Sequence, residues 1–100
     1  MAPKSDSFDS VWVFTGTGST GFPSGVFSDR PSAEAWISKH KLSGTLTRYP
    51  IGVGVYDLMI SEGLFQPKDD RHRTPDFIGA FSSAHQEHFH YGDGKEGAED

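Results

Sequence analysis

Three histidines, His85, His88 and His90, crowd one short stretch near the end of the chain, with Glu87 between them and Asp93 just beyond. Neutral imidazoles are good ligands for Zn²⁺ and related ions, and a closed site needs about three or four converging donors. This is the candidate metal-ligating set. A second stretch that spells chemistry is VWVFTGTGSTGFPSGVF, residues 11–27, where Gly16, Gly18 and Gly21 reproduce G-x-G-x-x-G after a strand-like run. In a dinucleotide-binding loop such glycines let backbone amides approach a pyrophosphate, and the loop opens directly into a helix whose positive end faces the charge. Here it leads instead to Phe22, Pro23 and another strand-like segment, and 100 residues cannot hold the accompanying parallel framework. A kinase-type glycine loop would need a strand lysine and metal-holding acids placed by a far larger fold. The glycines are read as loop residues that permit positive φ angles.

Acid–base chemistry has less support. Asp57, Glu62, Asp69, Asp70 and Asp76 are scattered, and Asp57 and Asp76 fall near predicted helix starts, where a carboxylate is stabilising without any reaction. No serine sits in a G-x-S-x-G turn. No catalytic residue and no cofactor is assigned, and an enzyme is the less favoured class.

The elements that must position these groups follow from periodicity. VWVFT (11–15) reads as a strand with Val11 and Val13 on one face and Trp12 and Phe14 on the other. GVFS (25–28), after the turn dipeptide Pro23-Ser24, makes a hairpin partner. Ser28 or Asp29 as cap, Pro31 in a first turn, and the stripe Ala33, Trp36, Ile37 and His40 predict a helix over 30–41. GTLTRY (44–49) alternates as a third strand. VYDLMISE (55–62) offers Tyr56, Met59 and Ile60 to one face and stops at Gly63, a left-handed cap. Thr74-Pro75 opens a short helix over 75–82, and HQEHFHY (85–91) alternates as a last strand. On that strand His88 and His90 share a face and His85 points the other way; a further ligand from His40 or His72 would depend on the fold. The order β-β-α-β-α-α-β predicts an α+β domain, a small, mostly antiparallel sheet with helices packed on one face.

Composition narrows the function classes. Of the net charge of −5, residues 1–10 carry −1, residues 92–100 carry −3, and the body 11–91 only −1. A nearly neutral body lacks the clustered Lys and Arg that bind phosphates, so no nucleic-acid partner is expected. There is no cysteine, which excludes disulfides and thiolate sites. No apolar run approaches the roughly 18 residues of a membrane span, and the expectation is a cytoplasmic protein with no membrane partner. Residues 1–9 and the acidic segment 92–100 read as disordered tails around a single domain over 10–91. A sheet covered on one side leaves one pair of β1 side chains less protected. Trp12 and Phe14, with Gly16, Gly18, Gly21 and Phe22 of the loop, are the candidate surface for a protein partner.

VWVFTG, FPSGVF, SAEAWISKHKLSGTLTRYP, GVYDLMISEG and QEHFHYGDG together resemble a bacterial family of small, often stand-alone domains of unknown function, over residues 11–94. In that family a tryptophan follows the Tyr-Asp pair, where this chain has Leu58. GVFSDRPSAEAWI also looks like the strand-to-helix unit of small bacterial and phage accessory proteins. The resemblance implies a compact bacterial domain that acts by contact, in the company of immunity proteins, toxin neutralisers and inhibitors.

Overall fold

The computed structural model describes residues 9–18 and 21–97. Along the chain run β1 (Ser10–Gly16), β2 (Gly25–Phe27), α1 (Arg30–His40), β3 (Gly44–Pro50) and α2 (Val55–Ser61). A 3-10 turn (Asp70–Arg73), α3 (Pro75–Gly79), β4 (His88–Gly92) and β5 (Lys95–Glu96) follow. The strands form one antiparallel sheet in the order β2-β1-β3-β4-β5.

The core lies between α1 and one face of this sheet. Trp12 and Phe14 of β1, Leu46 of β3 and Tyr91 of β4 are buried there against Ala33 and Ile37 of α1. Phe14 stands opposite Leu46 in register and meets Trp36 edge-on, with ring centroids 6.0 Å apart. The full burial of Phe14, Ile37 and Leu46 contributes about 1.5–3 kcal/mol each. Gly25 of β2 leaves room for two rings: a Cβ there would lie 2.7 Å from the Phe27 ring and 3.1 Å from the Trp36 indole.

Local chemistry explains the ends of α1. Asp29 is the cap, its carboxylate accepting from the Ser32 amide at 2.8 Å, and Pro31 occupies the first turn. That backbone hydrogen bond is the main reason the Asp29 carboxyl is held below the usual carboxylate range. At the other end Lys41 adopts φ 54° and its amide donates to the Ile37 and Ser38 carbonyls. A side chain in this left-handed conformation costs roughly 1–2 kcal/mol, against about 0.5–1 for the added freedom glycine gives the unfolded chain. Lys41→Gly is therefore expected to stabilise the domain by about 0.5–1 kcal/mol, read as a higher urea midpoint with an unchanged slope.

A second aromatic cluster joins α2, the 3-10 turn and α3. Tyr56 contacts Phe65, Phe77 and Phe81, and its hydroxyl donates to the His72 carbonyl oxygen at 2.8 Å. The buried arc of α2 centres on Met59 and extends to Leu58 on one side and Tyr56 on the other. Ile60, expected to face inward, lies just past Tyr56 and is exposed. The helix ends as its glycine predicts: Gly63 has φ 76°, the Leu64 amide donates to Met59 and the Gly63 amide to Ile60.

The C-terminal end corrects the expectation of a disordered tail from residue 92. Gly92 closes β4, and Asp93 and Gly94 both take positive φ, as a two-residue type I′ hairpin turn requires, returning the chain as β5. The turn is docked: the Gly94 amide donates to the Leu42 carbonyl at 2.8 Å and the Asp93 amide to Ser43 Oγ at 3.0 Å. Residues 1–8 and 98–100 of the two expected tails lie outside the described residues. The last long strand begins at His88 rather than residue 85, because Gln86 is used in a turn. Its side chain accepts from the Ser83 amide and donates to the Arg48 carbonyl oxygen.

Candidate functional site

Register divides the sheet into two unlike faces. On the α1 side lie Trp12, Phe14, Phe27, Leu46, Phe89 and Tyr91. The second face holds Val11, Val13 and Thr15 of β1, Val26 of β2, Thr45, Thr47 and Tyr49 of β3, and His88 and His90 of β4. None of these nine is fully buried, and Val26 is 63% exposed. They include no Asp, Glu, Lys or Arg; Lys95 of β5, opposite Gly92, stands at the margin.

Trp12 and Phe14 are thus removed from the candidate partner surface. They are 8% and 2% exposed and belong to the core, because the larger rings of β1 bury more area against α1 than Val11 and Val13 would. The glycine loop is a hairpin connection. Gly16 pairs with Gly44 inside the sheet, the Thr17 amide donates to the Ser43 carbonyl, and the Ser24 amide returns to the Phe14 carbonyl. Gly18 and Gly21 have φ of 81° and 100° and are exposed, and Phe22 is 75% exposed. Ser19 and Thr20, between them, lie outside the described residues. The strand that follows runs antiparallel to β1, and α1 begins only at Arg30, so no helix start faces the glycines.

The three histidines do not converge. His85 is exposed in the turn before β4, where its amide donates to Ser83 Oγ. His88 and His90 are neighbours on the second face, their rings edge-to-face with centroids 5.3 Å apart. Among the described residues no three His, Cys, Asp or Glu side chains are grouped to hold a metal ion. The expected set of His85, His88 and His90 is therefore corrected to a pair.

A polar cluster that sequence reasoning missed ties α1 to the last two strands. Arg30 pairs with Glu34 at 3.0 Å and Glu96 at 2.9 Å, and its guanidinium carbon sits 3.4 Å from the Phe89 ring centroid. Tyr91 donates to Glu34 at 2.5 Å. Burial first, and this carboxylate second, hold the phenol well above the ordinary tyrosine range. The phenol thus stays protonated at neutral pH, as a fixed donor. With each charge facing an opposite charge or an aromatic ring, the cluster can clasp the β4–β5 hairpin to α1. Its signal was present in the sequence as the i,i+4 pair Arg30 and Glu34.

Residues 11–97 match the family described as a domain of unknown function, DUF7710. The chain belongs to that family. No match is found among curated proteins or among solved structures. The family span of the DUF7710 domain takes in the whole described sheet beyond Ser10, including β5, and so extends past residue 94, where the resemblance had ended. Leu58 is buried in α2 of this DUF7710 domain, a core position rather than a surface one. No helix among the described residues is long and apolar enough to cross a membrane.

Proposed function

We propose that this DUF7710 domain is a non-enzymatic module that acts by contact with a protein partner, through the second face of its sheet and the adjoining Phe22 loop. The observation that carries the reading is a four-strand face free of Asp, Glu, Lys and Arg, with Val26 exposed on it and Phe22 exposed in the β1–β2 connection. The centre of a protein interface is depleted in charge because desolvating charged groups opposes association, while exposed apolar groups gain by being covered. The role this suits is that of an immunity or inhibitor-type accessory protein in the cytoplasm, a compartment compatible with a cysteine-free domain.

The test compares capture by the tagged full chain with capture by Val26→Asp and Phe22→Ser from cells of the natural source. Both side chains are exposed, so the variants should keep the wild-type circular dichroism and melting. A charge placed within a desolvated contact is expected to weaken retention of a stoichiometric partner by about tenfold or more. A partner retained equally by both variants, or no retained protein at all, would overturn the reading.

A further inference from the structure

We infer that His88 and His90 form a two-imidazole binding site for a divalent transition-metal ion of the Cu²⁺, Ni²⁺ and Zn²⁺ class. The inference stands independently of any protein partner. Strand alternation places both side chains on the second face, with their Cα atoms about 6.6 Å apart, two steps of about 3.3 Å. Their ring centroids are 5.3 Å apart and both residues are exposed, so rotation of the more loosely held His90 ring can bring its nitrogen and that of His88 to one ion.

The ring of His88 is already set for this. Its Nδ1 lies 2.7 Å from the Gln86 carbonyl oxygen. A carbonyl can only accept, so Nδ1 carries the proton and the neutral ring keeps its lone pair on Nε2. A histidine that donates one ring N–H to a carbonyl and offers the other nitrogen is the arrangement that orients metal-ligating imidazoles. His90 repeats the pattern more loosely, its Nδ1 being 3.4 Å from Thr45 Oγ1, a hydroxyl able to accept. Neither Nε2 has a hydrogen-bond partner among the described residues.

Two protein ligands leave about two positions of a four-coordinate ion to water, so the site suits an exchangeable ion rather than a structural one. Imidazole donors favour Cu²⁺, Ni²⁺ and Zn²⁺ over Mg²⁺ or Ca²⁺, and the divalent order places Cu²⁺ tightest.

Zn²⁺ and Cu²⁺ are titrated separately into the full chain, Zn²⁺ followed by imidazole nitrogen resonances and Cu²⁺ by electron paramagnetic resonance and calorimetry. The expected result is one ion per chain, with the Nε2 resonances of His88 and His90 moving together. His88→Ala and His90→Ala should each weaken Cu²⁺ binding by about tenfold or more, and His85→Ala should change it by less than about twofold. Unmoved resonances of His88 and His90 at saturating Zn²⁺, or Cu²⁺ affinity retained in both variants, would overturn the inference. The wild-type resonances decide the matter even if a variant were to lose its fold.

Discussion

Phe14→Ala is expected to destabilise the domain by about 3–5 kcal/mol, the range for emptying a fully buried aromatic site. Phe14 is 2% exposed, stands opposite Leu46 and Gly25 in register, and meets the edge of Trp36. Its removal would leave Trp36 and Leu46 facing a void that α1 cannot close, because the helix is held at both ends. Asp29 caps its start, and the Asp93-Gly94 turn is docked beside its end. A small domain has only about 5–15 kcal/mol of total stability, so the loss is a large share of it. Chemical denaturation checks the value. A loss below about 1 kcal/mol would return Phe14 to the surface and with it the first idea of where a partner binds.

The second large effect is expected at Gly44, the first residue of β3, which pairs with Gly16 on one side and Tyr91 on the other. A Cβ at this position would strike the Thr15 carbonyl oxygen, and would lie 2.7 Å from the Phe14 ring and 2.8 Å from the Gly16 Cα. Two of these three obstacles are backbone and cannot rotate away. Gly44→Ala is expected to cost about 3 kcal/mol, at or above the upper end of ordinary overpacking, because relief requires β1 and β3 to separate. Gly18→Ala is the control. That position has φ 81° but nothing among the described residues within 4 Å of an added Cβ, so it isolates torsional strain of about 1 kcal/mol from collision. Equal losses in the two variants, measured by urea unfolding, would show that the sheet yields at Gly44.

The two effects meet at one place. Gly25 beneath Trp36 and Gly44 beside Phe14 are both small residues that let aromatic rings fill the core side of the sheet. Both lie within expected strands, yet their neighbours across the sheet were not visible from local pattern. The Asp93-Gly94 hairpin is a different kind of miss. The dipeptide is a strong local turn signal, but the charge and glycine around it read as a loose end. Only its contacts with Leu42, Ser43 and Arg30 reveal a docked strand pair.

By itself the sequence determined what local chemistry can set. The alternation of VWVFT and TLTRY specified strands, Ser28 or Asp29 with Pro31 opened α1, Gly63 stopped α2, and Thr74 with Pro75 opened α3. Period-two alternation also sorted Val11 and Val13 from Trp12 and Phe14, and put His88 and His90 together. It left open which set faces a helix, because both sets of β1 are apolar and alternation has no preferred side. The tertiary structure decided that: α1 packs on the larger rings, and the valines, threonines and paired histidines remain toward solvent. Alternation also turned His85 away from the other two, and what a distant partner decided is that His85 lies outside the strand altogether, because the Arg48 carbonyl recruits Gln86 into a turn. Contacts between residues far apart in the chain carry no periodic signature, so the faces were legible and their roles were not.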